Sequence, residues 1–492
     1  MKTKKAFTSI VLGLSLCLTA CRPELDLSPV GTVAAITFYN TSRDAEAAVT
    51  AAYSVLRTVY DAENIVTPTT VAADDGVPFL TGNADRRALW SYNLVSTNTF
   101  SLSVWQVAYQ GIQRSNVVLA RVPGIEMDET LKKRYLAEAK FLRALHYFNL
   151  VRFFGALPLI TTETTSLGDV QVPRSPVEQV YALIESDLKE AEEVLPRTYT
   201  GANVGRATQG AAKGLLAKVY LTLAGNVAAS PYWAQAAAKA KEVIDLGIYD
   251  LWANYADVYE IRNRNGRESI FEVVYLTDVA GNTQSTHWAP RGLPLVPANG
   301  YGTIRPTQSL WASFSAQDRR RPVSFLTAYT NPANQQLVTL SISTTDPALA
   351  ISNWKLADLT SRILGGGGKS FPYMRFSDIL LIYAEALSEV SNGPTAEAYT
   401  AINRVRTRAG LPALQNLTRS QFKDAILLER RVEFSFEGHR WFDLARTERL
   451  LDAVNAETSF GRSPTIRPTN VLLPIPQREV DANPALTQNP GY

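Results

Sequence analysis

One stretch, Leu131 to Pro158 (LKKRYLAEAKFLRALHYFNLVRFFGALP), constrains what this chain can fold into more than any other. Leu131, Tyr135, Ala139, Leu142, Leu150 and Phe153 recur at helical steps along one stripe. Ala137, Phe141, Ala144, Phe148 and Val151 make a second stripe beside it. A surface helix needs one apolar stripe, so a helix with two is packed between neighbours. Gly155 relieves the backbone at its end and Pro158 bars continuation. The expectation is an inner helix of a layered helical array.

Helical patterns continue on both sides. Thr41-Ser42-Arg43-Asp44 has capping-box spacing and opens a helix carrying Ala45, Ala48, Val49, Ala52, Val55 and Leu56. Thr67 to Asn98 reads as loop, and a helix follows from about Leu102 to Val122, with Trp105 and Tyr109 assigned to the core. Ser175-Pro176-Val177-Glu178 predicts a start in which Ser caps, Pro takes the first position and Glu178 reaches back. Thr208 to Ala224 is rich in small residues, and its partner helix begins at Ser230-Pro231. Together they resemble a tetratricopeptide-like hairpin, without that repeat's periodic consensus.

From Tyr249 to Phe371 the texture changes. Strand-like Ser269 to Leu276 and Leu337 to Ser343 flank a Pro- and Gly-punctuated run. An irregular stretch of that length is functional or disordered, and its aromatic content argues for order. Helices resume at Tyr373 to Val390, Thr395 to Arg408 and, after a capping-box spacing at Thr418, through Phe434. The expected organisation is a leader (1–20), a tether (21–40), an N-terminal helical region (41–248), the insertion (249–371) and a C-terminal helical region (372–492).

The leader is cationic at Lys2, Lys4 and Lys5, then apolar from Ala6 to Leu18, too short to span a bilayer permanently. It closes in Leu18-Thr19-Ala20-Cys21, which resembles the bacterial lipobox and predicts lipidation of Cys21. Acyl chains on Cys21 would then hold the body to a membrane. The other cysteine, Cys17, departs with the leader. So do the three leader lysines, which cancel the whole formal excess of +3. A chain with no basic surplus is not built for nucleic acid.

Tempting motifs mostly fail on physical grounds. GGGGKS (Gly365 to Ser370) has Ile363 where a phosphate loop needs glycine, and it leads into Phe371-Pro372 instead of a helix; a flexible connector is expected. Ser186-Asp187-Leu188-Lys189 lacks the motifs that accompany a nucleophilic S-x-x-K. The three histidines, His146, His287 and His439, show no metal-ligand spacing, and His146 is expected to be buried and satisfied. Adjacent acids at Asp74-Asp75 suit a solvated turn or ligand hydroxyls better than paired-carboxylate hydrolysis. Arg440 with Asp443, and Glu138 with Arg143, read as polar braces. No catalytic residue, metal or cofactor is expected.

Several stretches together resemble the SusD/RagB family. They include AEAKFLRALHYFNLVRFFGALPL (Ala137 to Leu159), RSPVEQVYALIESDL (Arg174 to Leu188) and GRATQGAAKGLLAKVYL (Gly205 to Leu221). Further on come FPYMRFSDILLIYAEAL (Phe371 to Leu387), AINRVRTRAGLP (Ala401 to Pro412), LLERRVEFSFEGHRWFDLAR (Leu427 to Arg446) and the C-terminal LLPIPQREVDANPALTQNPGY. The resemblance implies an all-α superhelix of tetratricopeptide-like pairs with a loop-rich insertion. It implies a lipoprotein on the outer face of the outer membrane, lying over a SusC-like, TonB-dependent transporter and delivering oligosaccharide or, in some members, peptide. A surface glycoside hydrolase is the other alternative.

The family fixes no binding motif, so the residues must choose the site. A sugar offers an apolar C–H face and a rim of hydroxyls, and its binder wants aromatic planes edged by Asp, Asn or Arg. Two loop regions qualify: Asp75, Arg86, Trp90, Tyr92 and Asn98 in one, Trp288 and Tyr301 in the other.

Overall fold

The computed structural model describes residues 39–492; Cys21, the leader and most of the tether lie outside the described residues. The fold is all-α, with a loop-rich insertion holding only short strands. Its array comprises α1 (Ser42–Val59), α2 (Thr99–Arg121), α3 (Glu129–Phe154), α4 (Val177–Val194), α5 (Gln209–Ala224), α6 (Tyr232–Asp245), α7 (Phe376–Val390) and α8 (Ala396–Arg408). Each packs on the next in chain order, α6 on α7 included, although the whole insertion separates those two in sequence. Then follow α9 (Arg419–Glu433) and the short α10 (Arg440–Arg446).

The two-striped helix is α3. It touches α1, α2, α4 and α5 and is buried from Ala137 onward with few breaks. Its C-terminal carbonyls are satisfied by the chain's tail: Leu473 N–H donates to Phe153 O at 2.7 Å, and the Asn489 amide donates to Phe154 O at 3.0 Å. Glu138 and Arg143 are polar braces inside the layers, though each pairs outward from α3 and not with the other. Arg143 grips Asp187 of α4 through two bonds of 2.8 Å, while Glu138 takes Arg206 at 2.8 Å and Tyr199 at 3.1 Å.

Several expectations change. His146 is fully buried but not satisfied: neither ring nitrogen has a hydrogen-bond partner among the described residues. Its ring fills the space over Gly111, where a Cβ would lie 2.1 Å from Nε2. Burial pushes its pKa down to about 3. Pro176, not Ser175, stands at the head of α4 without a side-chain cap, because the Ser175 backbone is bridged to Leu157. Residues 371–375, whose end overlaps the helix predicted from Tyr373, form β8 (Phe371–Arg375) instead. It pairs antiparallel with β2 (Ser269–Val273) at the neck of the insertion. Gly365 to Gly368 are not a free connector: a Cβ on Gly368 would lie 2.0 Å from Thr277 Oγ1, so three of these glycines serve close packing.

Between the insertion and the C-terminal helices lies a dense buried charge network. Arg375 reaches Glu268, Glu433 and Glu437 at 2.7–3.0 Å. Arg408 joins Glu268 and Glu433, Lys355 takes Glu437, and Arg320 ties Asp318 to Glu429 and Glu433. Buried pairs stabilise weakly against an apolar alternative but cost about 3–5 kcal/mol when one partner is removed. They fix how the insertion sits on the array.

Candidate ligand-binding site

The insertion is stapled to the end of α1. Asp61 Oδ1 accepts from both the backbone N–H and the hydroxyl of Thr283 at 2.8 Å, and Gln284 donates to Tyr60 O at 3.0 Å. This seats the short helix Gln284–Trp288 against the π-turn Ala62–Val66. His287 Nδ1 consequently lies 2.6 Å from Glu63 Oε1, and Arg86, on the helix Ala84–Ser91, closes on the other carboxylate oxygen.

Tyr301 completes the cluster. Its ring centroid is 5.3 Å from that of His287, tilted by 58°. Three backbone bonds of 2.8 Å hold its segment to the short helix and the residue after it: Tyr301 N–H to Thr286 O, Gly302 N–H to Ala289 O and Thr303 N–H to His287 O. Gly300 and Gly302 flank it at φ +63° and +58°, and a Cβ on Gly300 would stand 2.2 Å from Pro290 O. Only glycine fits such a close, left-handed crossing. The Arg291 guanidinium lies 4.5 Å over the Phe79 ring at the rim.

Glu63 is partly exposed. Burial pushes its carboxyl up, but the His287 hydrogen bond and the Arg86 charge outweigh it and hold the pKa below the ordinary value. The cluster therefore presents an ionised acceptor beside a half-exposed tyrosine ring. Arg86 itself is 6% exposed, so it steadies Glu63 from behind.

The other sequence-predicted residues turn inward. Asp75 is buried against Arg431 at 2.8 Å, and its neighbour Asp74 is gripped by Arg440 at 2.7 and 2.8 Å. These acids are not a solvated turn, and Arg440 pairs with Asp74, leaving Asp443 to Arg430 and Arg446. Burial pushes Asp74 up, yet Arg431 and Arg440 hold it well below the carboxylate range; Asp75 stays raised because burial dominates. Trp288 packs near Phe436 with 2% of its surface exposed, and Trp90 is buried with its indole N–H unpartnered among the described residues. Tyr92 sits at the left-handed end of its helix, φ +56°, donating to Ala72 O. Asn98 caps α2 by accepting from the Phe100 and Ser101 N–H groups. Trp105 is core as expected, and Tyr109 packs against that core while donating to Pro158 O.

The structure thus brings Arg86 and Tyr301 together and leaves the other five as supports. Glu63 and His287 were missed as a pair, being 224 positions apart. Among the described residues no cluster of His, Cys, Asp and Glu could hold a metal, and no helix is long and apolar enough to cross a membrane.

Residues 350–492 match the model of the SusD family, and residues 32–221 match a second model described as starch-binding and associating with the outer membrane. The chain belongs to the SusD/RagB family. One SusD/RagB relative, SusD-like protein P2 of Formosa agariphila, is 28% identical over 99% of this chain and 100% of its own length. A SusD superfamily protein from Parabacteroides distasonis superposes with a TM-score of 0.80 at 28% identity, covering 92% of this chain and 99% of that one. A laminarin-binding SusD-like protein superposes at 0.78, also at 28% identity, over 92% and 100% of the two chains.

Proposed function

We propose that this chain is a lipid-anchored outer-membrane protein, facing the cell exterior, that captures oligosaccharide at the Glu63–His287–Tyr301 cluster and delivers it to a SusC-like, TonB-dependent transporter. The supporting observation is the half-exposed Tyr301 ring fixed beside an ionised Glu63. A pyranose face stacks on such a ring while its hydroxyls donate to the carboxylate. The laminarin-binding and starch-binding descriptions of its relatives favour a glucan. The protein performs no chemistry on the ligand, and Asp74 and Asp75, neutralised by arginines, are scaffold.

Calorimetric titration of residues 22–492 with laminarin- and starch-derived oligosaccharides tests this. Tyr301→Ala should weaken binding at least tenfold, about 1.4 kcal/mol, at an unchanged unfolding midpoint. Unaltered affinity in that variant moves the site elsewhere. Binding of extended peptides alone establishes the peptide alternative, and release of shortened glycan by the purified protein establishes a hydrolase.

A further inference from the structure

A polar cavity with about 30 Å³ of open space lies where α3, α5, α9 and the turn before α10 meet. Arg152 of α3, Lys218 of α5, Tyr373 of β8, Arg430 of α9 and His439 contribute to its wall. Most of the charges around it are matched. Lys218 Nζ lies 3.0 Å from Asp378, Arg430 spans Asp378 and Asp443 at 2.8 Å each, and Arg446 takes Asp443 and Glu385 at 2.7–3.0 Å. Glu437, also on the wall, is consumed by Arg375 and Lys355 of the neighbouring network.

Arg152 is the odd cation. It has no carboxylate at ion-pair distance among the described residues. Its Nε donates to Phe148 O at 3.0 Å and its Nη2 to Asn149 Oδ1 at 2.7 Å, while the guanidinium lies 3.9 and 3.7 Å from the Phe148 and Phe442 ring centroids. Lys218, Arg430, Arg446 and Arg152 therefore face Asp378, Asp443 and Glu385 with one positive charge left over. A second observation points into the same space: the Tyr373 hydroxyl, on a side chain buried to within 5%, has among the described residues only a loose approach to the Tyr60 hydroxyl, itself on the cavity wall. A weakly held buried donor beside an unmatched cation is costly unless an acceptor of negative charge fills the gap. The space admits a particle of water or halide size and excludes a sugar or phosphate.

We propose that this cavity binds one small monovalent anion of the halide class, held by Arg152 and the Tyr373 hydroxyl. The anion would join α3 of the N-terminal array to the strand Phe371–Arg375 at the neck of the insertion. The inference stands apart from the glycan site and survives its failure.

Crystals of the wild-type protein soaked in sodium bromide, measured at the bromine edge, should show an anomalous peak inside the cavity. In solution, replacing gluconate by chloride at constant ionic strength should raise the unfolding midpoint by about 1–3 °C per tenfold in chloride once the site begins to fill. Arg152→Gln should abolish that response, while the surface substitution Arg121→Gln should leave it intact. A cavity without anomalous signal, or a midpoint indifferent to the exchange, overturns the proposal.

Discussion

Two acid–arginine clusters flank the short helix Thr67–Val71, and they have opposite fates. Glu63, on its N-terminal side, meets Arg86 and His287 and keeps 30% of its side chain exposed. Asp74 and Asp75, on the other side, meet Arg440 and Arg431 and keep 7% and 2%. The chemistry is the same; the cover differs. Thr307 closes over the aspartates through its N–H to Asp75 O at 3.0 Å and its hydroxyl to Asp74 O at 2.7 Å, where β1 (Gly76–Pro78) pairs with β3 (Ile304–Pro306). Nothing among the described residues covers Glu63 in that way. An exposed, ionised carboxylate can accept from a ligand, whereas a covered one can only hold the scaffold.

The sharpest way to break this division is to remove an arginine from the covered cluster. Arg440→Ala leaves Asp74 buried with only Arg431 to balance it and Asp75 beside it, and should cost about 3–5 kcal/mol in urea unfolding. Molecules that remain folded should keep their glycan affinity within about twofold. Loss of affinity at full stability would instead put the aspartates in the ligand site.

Acid titration probes the covered regions in a second way, because they also hide two neutral histidines. Burial pushes His146 down to about 3; burial and then the Lys218 charge do the same to His439. Both stay neutral in the fold and bind protons in the unfolded chain below its value of about 6.5. The unfolded state then holds more protons, so stability falls as pH drops from about 6.5 towards 3, by up to about 1.4 kcal/mol per unit for each histidine. Glu63 acts with the same sign in a lower window. Its pKa is lowered, so its contribution is complete above the unfolded value of about 4.3 and is lost only as pH falls through its folded value. Denaturation midpoints between pH 6.5 and 5 therefore read the buried groups alone. His146→Gln should reduce the slope by one histidine's share, and an unchanged slope would mean that His146 is protonated in the fold.

How far the sequence reveals all this depends on the range of the signal. Caps are local: Thr41 with Asp44, and Thr418 with Gln421, form capping boxes at the predicted helix starts. The two stripes of α3 are local too. Strand β8 was hidden because its partner lies about a hundred residues away, so pairing overrode the helical reading of Tyr373 to Arg375. At the site, the two candidate loops do converge, yet Trp90, Tyr92 and Trp288 turn inward. Composition tells that a loop has aromatic rings, not which face of the loop is covered. The helix Ala84–Ser91 buries Trp90 and Arg86 together, a one-sidedness too short to read as periodicity. Glu63 and His287 carry no motif, and only the stapling of residues 283–288 to the end of α1 makes them a pair.

Glu63→Gln should change stability less than Arg440→Ala does, yet have one of the larger effects on binding. Glu63 keeps 30% of its side chain in solvent while Arg86 beneath it is buried, and the glutamine oxygen still accepts from Arg86, so losing the charge costs about 1–3 kcal/mol, less than breaking the covered cluster. The glutamine keeps the side chain's shape while exchanging one acceptor oxygen for a donor and removing the charge. Hydrogen bonds to a charged group contribute about 1.5–3 kcal/mol, so oligosaccharide affinity should fall by at least tenfold, read by the same titration as Tyr301→Ala. The two variants should then fail alike in binding and both outlast Arg440→Ala in urea. If Glu63→Gln instead unfolds readily and binds normally, Glu63 belongs with the aspartates as scaffold, and the distinction between covered and uncovered acids no longer locates the ligand.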